Sequence, residues 1–184
     1  MAPERGRKPT VMPGRHLTIL YMKALLITAM LFSLFGCGTA NGIKLNGDLE
    51  YYQYKSFTMR AYPAEYYRLE YTEGKDLTLA WARNSSPVTV IRVPAEAARK
   101  VTSLIEEYKL YNLKESYTPP YKVLDGISWN VSFSVGGKEI YSRGENAWPA
   151  EKIRDGIKAI NACFGTLIDA SKEEDVLEVR EKDF

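Results

Sequence analysis

Apolar residues at Ile127, Trp129, Val131, Phe133 and Val135 alternate without a break with Ser128, Asn130, Ser132 and Ser134. A two-residue period buries one face of a β-strand and leaves the other polar, as in an antiparallel sheet covered on one side. Gly136-Gly137 follows, and glycine accepts the positive φ that a two-residue hairpin turn demands, so the strand is predicted to fold back on itself. That register sets Phe133 opposite Ile140 on the inner face. On the outer face it sets Ser132 opposite Tyr141, Asn130 opposite Arg143 and Ser128 opposite Glu145. The same period recurs upstream: Tyr67, Leu69 and Tyr71 alternate with Arg68 and Glu70, and Leu77, Leu79 and Trp81 with Thr78 and Ala80. A three-residue loop at Glu73-Gly74-Lys75 pairs Tyr71 with Leu77 and Leu69 with Leu79, so the apolar faces coincide; a two-residue loop would set them on opposite sides. Asn84-Ser85-Ser86-Pro87 marks a turn before a fourth strand at 88–93.

Two stretches switch to helical spacing. In 94–112, Ala97, Val101, Leu104, Ile105, Tyr108 and Tyr111 share a face, with Glu96, Arg99, Lys100, Glu106 and Lys109 opposite and Pro94 in the opening turn. In 149–169 the stripe is Ile153, Ile157, Ile160, Phe164, Leu167 and Ile168. Cys163 falls beside that stripe and reads as a small buried hydrophobe. Gly156 and Gly165 each cost near 1 kcal/mol inside a helix, which predicts a close approach to the sheet. Pro119-Pro120 makes 113–124 a stiff crossing loop, Asn146 is a candidate helix cap, and 171–184 reads as a charged, solvated tail. The order of four strands, helix, two strands, helix predicts an α+β domain over 49–170. Its antiparallel sheet has about six strands, with two helices covering one face. The seven tyrosines between Tyr51 and Tyr71 are read as half-buried strand residues rather than as a sugar site.

Ahead of this domain, residues 22–36 have a positive start at Lys23 and an apolar run from Ala24 to Phe35, the form of a secretory signal. The run is shorter than the roughly 20 apolar residues a spanning helix needs. Extending it back to Leu17 would place Lys23 inside, at a cost of roughly 2.5–3.5 kcal/mol. Its ending, Leu34-Phe35-Gly36-Cys37, resembles the lipobox of bacterial lipoproteins, although Phe35 stands where that family usually has a small or β-branched residue. The resemblance implies cleavage before Cys37, a diacylglyceryl group on its sulfur and attachment to a membrane of the cell envelope. In a Gram-negative cell this would be the outer membrane, with the domain in the periplasm or on the cell surface. Residues 1–21 are then a dispensable leader or an upstream start, and 37–48, with two Asn-Gly steps, a flexible tether.

That division changes the charge. Of 25 Lys and Arg in the chain five precede Cys37, and of 23 Asp and Glu only Glu4 does, so 37–184 carries a net charge of −2 against +2 for the whole. The basic excess lies in the leader, which argues against nucleic acid as a partner. The single histidine, His16, also lies there, so the domain has no histidine for triad chemistry or a zinc site. With Cys37 lipidated, Cys163 is left without an intramolecular disulfide partner. No cofactor, metal-ligating or catalytic residue is assigned. Asp125-Gly126, Trp129, Gly137-Lys138, Ser142, Gly144, Asn146-Ala147 and Pro149 together resemble a phrase of uncharacterised envelope lipoproteins of Bacteroides-like bacteria, a resemblance that implies no activity. The reading favoured is a membrane-anchored binding or structural module with an envelope protein or glycan as partner. Its expected contact residues are Asn130, Tyr141, Arg143 and Glu145 on the outer hairpin face and an exposed Trp148 on the loop beyond. A carboxylate-dependent glycan-acting enzyme and a carrier of an apolar ligand stay open as alternatives.

Overall fold

The computed structural model describes residues 47–59, 61–72, 76–121, 123 and 126–181. The segments read as leader and signal, together with Cys37, lie outside the described residues, as does the Glu73-Gly74-Lys75 loop. The elements run β1 (Leu49–Thr58), β2 (Ala61–Tyr71), β3 (Leu77–Arg83), β4 (Val88–Arg92), α1 (Glu96–Glu107), β5 (Ser116–Tyr117), β6 (Ser128–Val135), β7 (Lys138–Glu145), α2 (Glu151–Ala170) and β8 (Val176–Arg180). Short 3-10 turns occupy Leu110–Asn112 and Glu173–Asp175. The strands form one sheet in the order β5-β7-β6-β1-β2-β3-β4-β8, antiparallel except where β5 meets β7. This is an α+β domain, with helices packed on one face of the sheet.

Both hairpin registers are the ones the alternation demands. Leu69 pairs with Leu79 and Tyr71 with Leu77; Phe133 pairs with Ile140 and Asn130 with Arg143. Gly136 and Gly137 both have positive φ, 57° and 74°, as the tight turn requires. Asn84 and Ser85 take the same region at the β3–β4 turn, with φ of 49° and 65°. β1 is central: β2 flanks it on one side and β6 on the other, so it joins the first four strands to the later hairpin.

The core lies between the sheet and the helices. Tyr52, Tyr67, Leu69, Leu79, Phe133 and Val131 come from the sheet, Val101, Leu104 and Ile105 from α1, and Ile157, Ile160 and Phe164 from α2. The Phe164 ring sits 5.6 Å from both Tyr52 and Tyr67, in edge and tilted geometries favoured by aromatic quadrupoles. Most of the tyrosine run is thus structural: Tyr52, Tyr54, Tyr66 and Tyr67 are all buried.

The structure corrects several expectations. Among the described residues the sheet has eight strands rather than about six. β5, inside the proline-bearing loop, is only two residues long and is fixed by β7: Arg143 N donates to Glu115 O at 3.0 Å and Ser142 Oγ to Lys114 O at 2.7 Å. No local pattern announces a strand that short. Within the segment read as a charged, solvated tail, Val176–Arg180 is a strand that pairs with β4 and completes that edge, while its residues stay exposed. The first helix stops at Glu107; Lys109 turns left-handed (φ 56°) and delivers Leu110 into the core. A Cβ on Gly156 would collide with Tyr108 and Leu110, so this glycine admits the end of α1 rather than the sheet. Ile127 is exposed, not inward. Asn146 caps no helix: its Oδ1 accepts from Ile127 N at 2.9 Å and its own N donates to Ile127 O at 2.9 Å, closing the open end of the β6–β7 hairpin.

Candidate functional site

On the face away from the helices, the hairpin register brings Asn130, Tyr141, Arg143 and Glu145 to one side. Tyr141 is 48% exposed, Arg143 and Glu145 are exposed, and Asn130 is half-buried. Among the described residues, Arg143 and Glu145 make no ion pair. The neighbouring strands are tied into their own polar network. Arg68 pairs with Glu70 at 2.6 Å, donates to Gln53 Oε1 at 3.1 Å and lies 5.3 Å from the Tyr51 ring centre. Its hydrogen bond to Glu70 raises the Arg68 pKa. Tyr51 donates to Glu139, and Glu50 accepts from Ser134 Oγ and Gly137 N, each at 2.7 Å. Lys55, paired with Asn130 across β1–β6, has its pKa pushed down by burial and by nearby Arg68. The centre of this face is therefore internally satisfied, and the hairpin end carries uncommitted charge.

Trp148 is not part of that surface. It is half-buried, stacks on Trp129 at 5.0 Å between ring centres, and joins the core side of the sheet. The strand alternation that aims Asn130 outward aims Trp129 inward, and Trp148 follows Trp129.

Trp148 lines instead a cleft of about 480 Å³ between α2 and the middle of β1 and β2. Tyr54 and Glu65 project into it from the strands, and Arg154, Lys158 and Asn161 from the helix. The last three are spaced four and three residues apart, a polar flank beside the apolar stripe of the same helix. Burial pushes the Tyr54 phenol up to about 12; its hydrogen bond with Ser56 opposes the shift and the Glu65 carboxylate adds to it. Arg154 Nε and Asn161 Oδ1 are buried without a hydrogen-bond partner. Leaving such groups unpaired is costly, about 1–3 kcal/mol each. Sequence reading gave this cleft no weight. Its one signal was the spacing of Arg154, Lys158 and Asn161, and their partners at 54, 65 and 148 come together only through the fold.

Among the described residues, no three His, Cys, Asp or Glu side chains gather where they could hold a metal ion. No described helix is long and apolar enough to cross a membrane. No model of a known protein family matches the chain, and comparison with curated proteins finds no match. What the fold defines is a class: an α+β domain with helices on one face of its sheet and an open, polar hairpin end on the other.

Proposed function

We propose that this chain is a non-enzymatic binding module of the bacterial envelope. Lipid on Cys37 holds it at the membrane, and the outer face of the β6–β7 hairpin meets a protein or glycan partner. The observation that carries the reading is the set of Tyr141, Arg143 and Glu145, exposed and in register, on a face that no described helix covers. An aromatic ring beside a planar guanidinium gives a large contact area and a two-pronged grip on a carboxylate or phosphate. The anchor is supported by the lipobox-like ending. The enzyme alternative gains little, since the helix-side cleft holds one lining carboxylate, Glu65, where glycosidases use two. The carrier alternative is disfavoured by the layer between helices and sheet, which Tyr52, Phe133 and Phe164 fill.

Metabolic labelling with a fatty-acid analogue tests the anchor. Label on the wild type and none on Cys37→Ser, with the variant released to the soluble fraction, is the expected result; an unlabelled wild-type band of mature size refutes it. Capture from envelope extract with wild type and Arg143→Ala tests the surface. Loss of specific partners from the Arg143→Ala bait is expected, and identical partner sets would leave the face as ordinary solvated sheet.

A further inference from the structure

We infer that the chain pairs with a second copy of itself through β8, edge to edge and antiparallel, about a two-fold axis at Val179. β8 ends the strand order, and among the described residues no strand lies beyond it. All of its residues are exposed. Glu178 is in register with Val90, Ala80 and Arg68, which places it on the outer face. Val179 is in register with Thr89, Trp81 and Tyr67, on the face the helices cover, yet it is 63% exposed. The core side of the sheet thus runs out at an apolar residue. Natural edges are blunted by shortness, proline, lysine, a bulge or an inward-pointing charge. The opposite edge is blunted in this way: β5 has only two residues, and Pro119-Pro120 follows one residue later. In β8 the irregularity lies before Glu178, and Glu178–Arg180 stays in regular register with β4, with valine as its helix-side residue.

The charges select a second copy and fix its register. A two-fold edge contact is isologous, so each residue meets the one equally far from the axis on the other side. An axis at Glu178 or at Arg180 would set two like charges directly opposite each other, which is destabilising. An axis at Val179 sets Glu178 of each copy opposite Arg180 of the other and packs the two exposed valines together. Arg180 Nη1 already lies 3.5 Å from Glu178 Oε2 of its own strand, both side chains being about half exposed. Pairing keeps that contact and adds one across the ladder, so four charges alternate in sign around a square on the outer face. A ladder this short buries little area, so the association is weak and is best trapped covalently. β8 stands at the far end of the sheet from the β6–β7 hairpin, so this contact and the surface proposed above stand or fall separately.

Oxidative cross-linking of the purified full-length chain tests the inference, in a Cys37→Ser, Cys163→Ala background. Val179→Cys should form a disulfide-linked dimer, because the axis brings the two positions within the Cα separation of about 4.4–6.8 Å that a disulfide needs. Leu177→Cys should give about tenfold less dimer, since the same register holds its two copies four residues apart, about 14 Å. Glu178→Arg or Arg180→Glu, added singly to Val179→Cys, should cut the dimer yield by about fivefold or more, and the two together should restore it. Thermal melts identify any variant that fails to fold. If Val179→Cys is lost, sedimentation equilibrium of the two charge variants and their combination carries the test, with the same loss and recovery of dimer expected. The inference is overturned if folded Val179→Cys stays monomeric, if Leu177→Cys cross-links equally well, or if the combined charge exchange fails to restore the dimer.

Discussion

Trp129 and Gly144 face each other across the β6–β7 ladder, and the indole occupies the space that a side chain at 144 would need. The indole Nε1 donates to Ala147 O at 2.9 Å, which draws the loop before α2 onto the same ring. Gly144→Ala must therefore push the indole, break that bond or bend β7. Overpacking of this kind costs about 1–3 kcal/mol. Urea unfolding should show the loss as a lower midpoint at unchanged slope, and an unaltered midpoint would mean that the indole moves freely.

Two buried tyrosines should answer oppositely to loss of their hydroxyls. Tyr52 is fully buried and its OH has no partner, whereas Tyr67 OH accepts from the Arg83 guanidinium at 3.1 and 3.2 Å. Tyr52→Phe should leave stability unchanged or raise it by up to about 1 kcal/mol, and Tyr67→Phe should lower it by about 1 kcal/mol. Denaturant titrations of both variants check the contrast; equal destabilisation would place a hidden partner on Tyr52.

Stability should fall in alkali. Burial raises the pKa of Tyr52, Tyr54, Tyr66 and Tyr67. A group raised in the folded state keeps its proton there while the unfolded chain loses it. Its contribution is thus complete below the ordinary value near 10 and disappears as pH climbs through the folded value, about 12 for Tyr54. Tyr54 alone amounts to about 2–3 kcal/mol across that interval. Unfolding free energies measured alongside tyrosinate absorbance should decline together above pH 10, and a flat profile would refute the burial argument.

Cys163 is half-buried rather than buried, and burial pushes its thiol pKa up while Lys100 opposes the shift. A Cys37→Ser chain, leaving Cys163 as its thiol, should react with a maleimide about tenfold or more slowly when folded than in denaturant. Similar rates in both states would show an accessible thiolate.

The hairpins were legible because two independent signals agreed: strict alternation fixed the faces, and turn chemistry at Gly136-Gly137 fixed the register. The apolar stripes of both helices were legible for a similar reason, since long periodic segments leave little ambiguity. β8 was hidden by Glu173-Glu174-Asp175 and by its own Glu178 and Arg180, whose charges signal solvent although β4 offers an open edge. The left-handed Lys109 carries no residue-type signal; it answers to the demand that Leu110 reach the core. Trp148 was misplaced because a loop has no period, and its direction follows from Trp129 rather than from its own neighbours.

The chain enters this domain at its middle strand. β1 is gripped by β2 on one flank and by β6 on the other, and Gly136 N donates to Asp48 O at 3.0 Å just before the strand begins. Inter-strand bonds lie across the strand direction. Tension drawn along the segment that precedes residue 47 therefore loads two ladders in shear at once, instead of peeling an outer strand one bond at a time. A domain pulled from that end should yield at high force and in a single event.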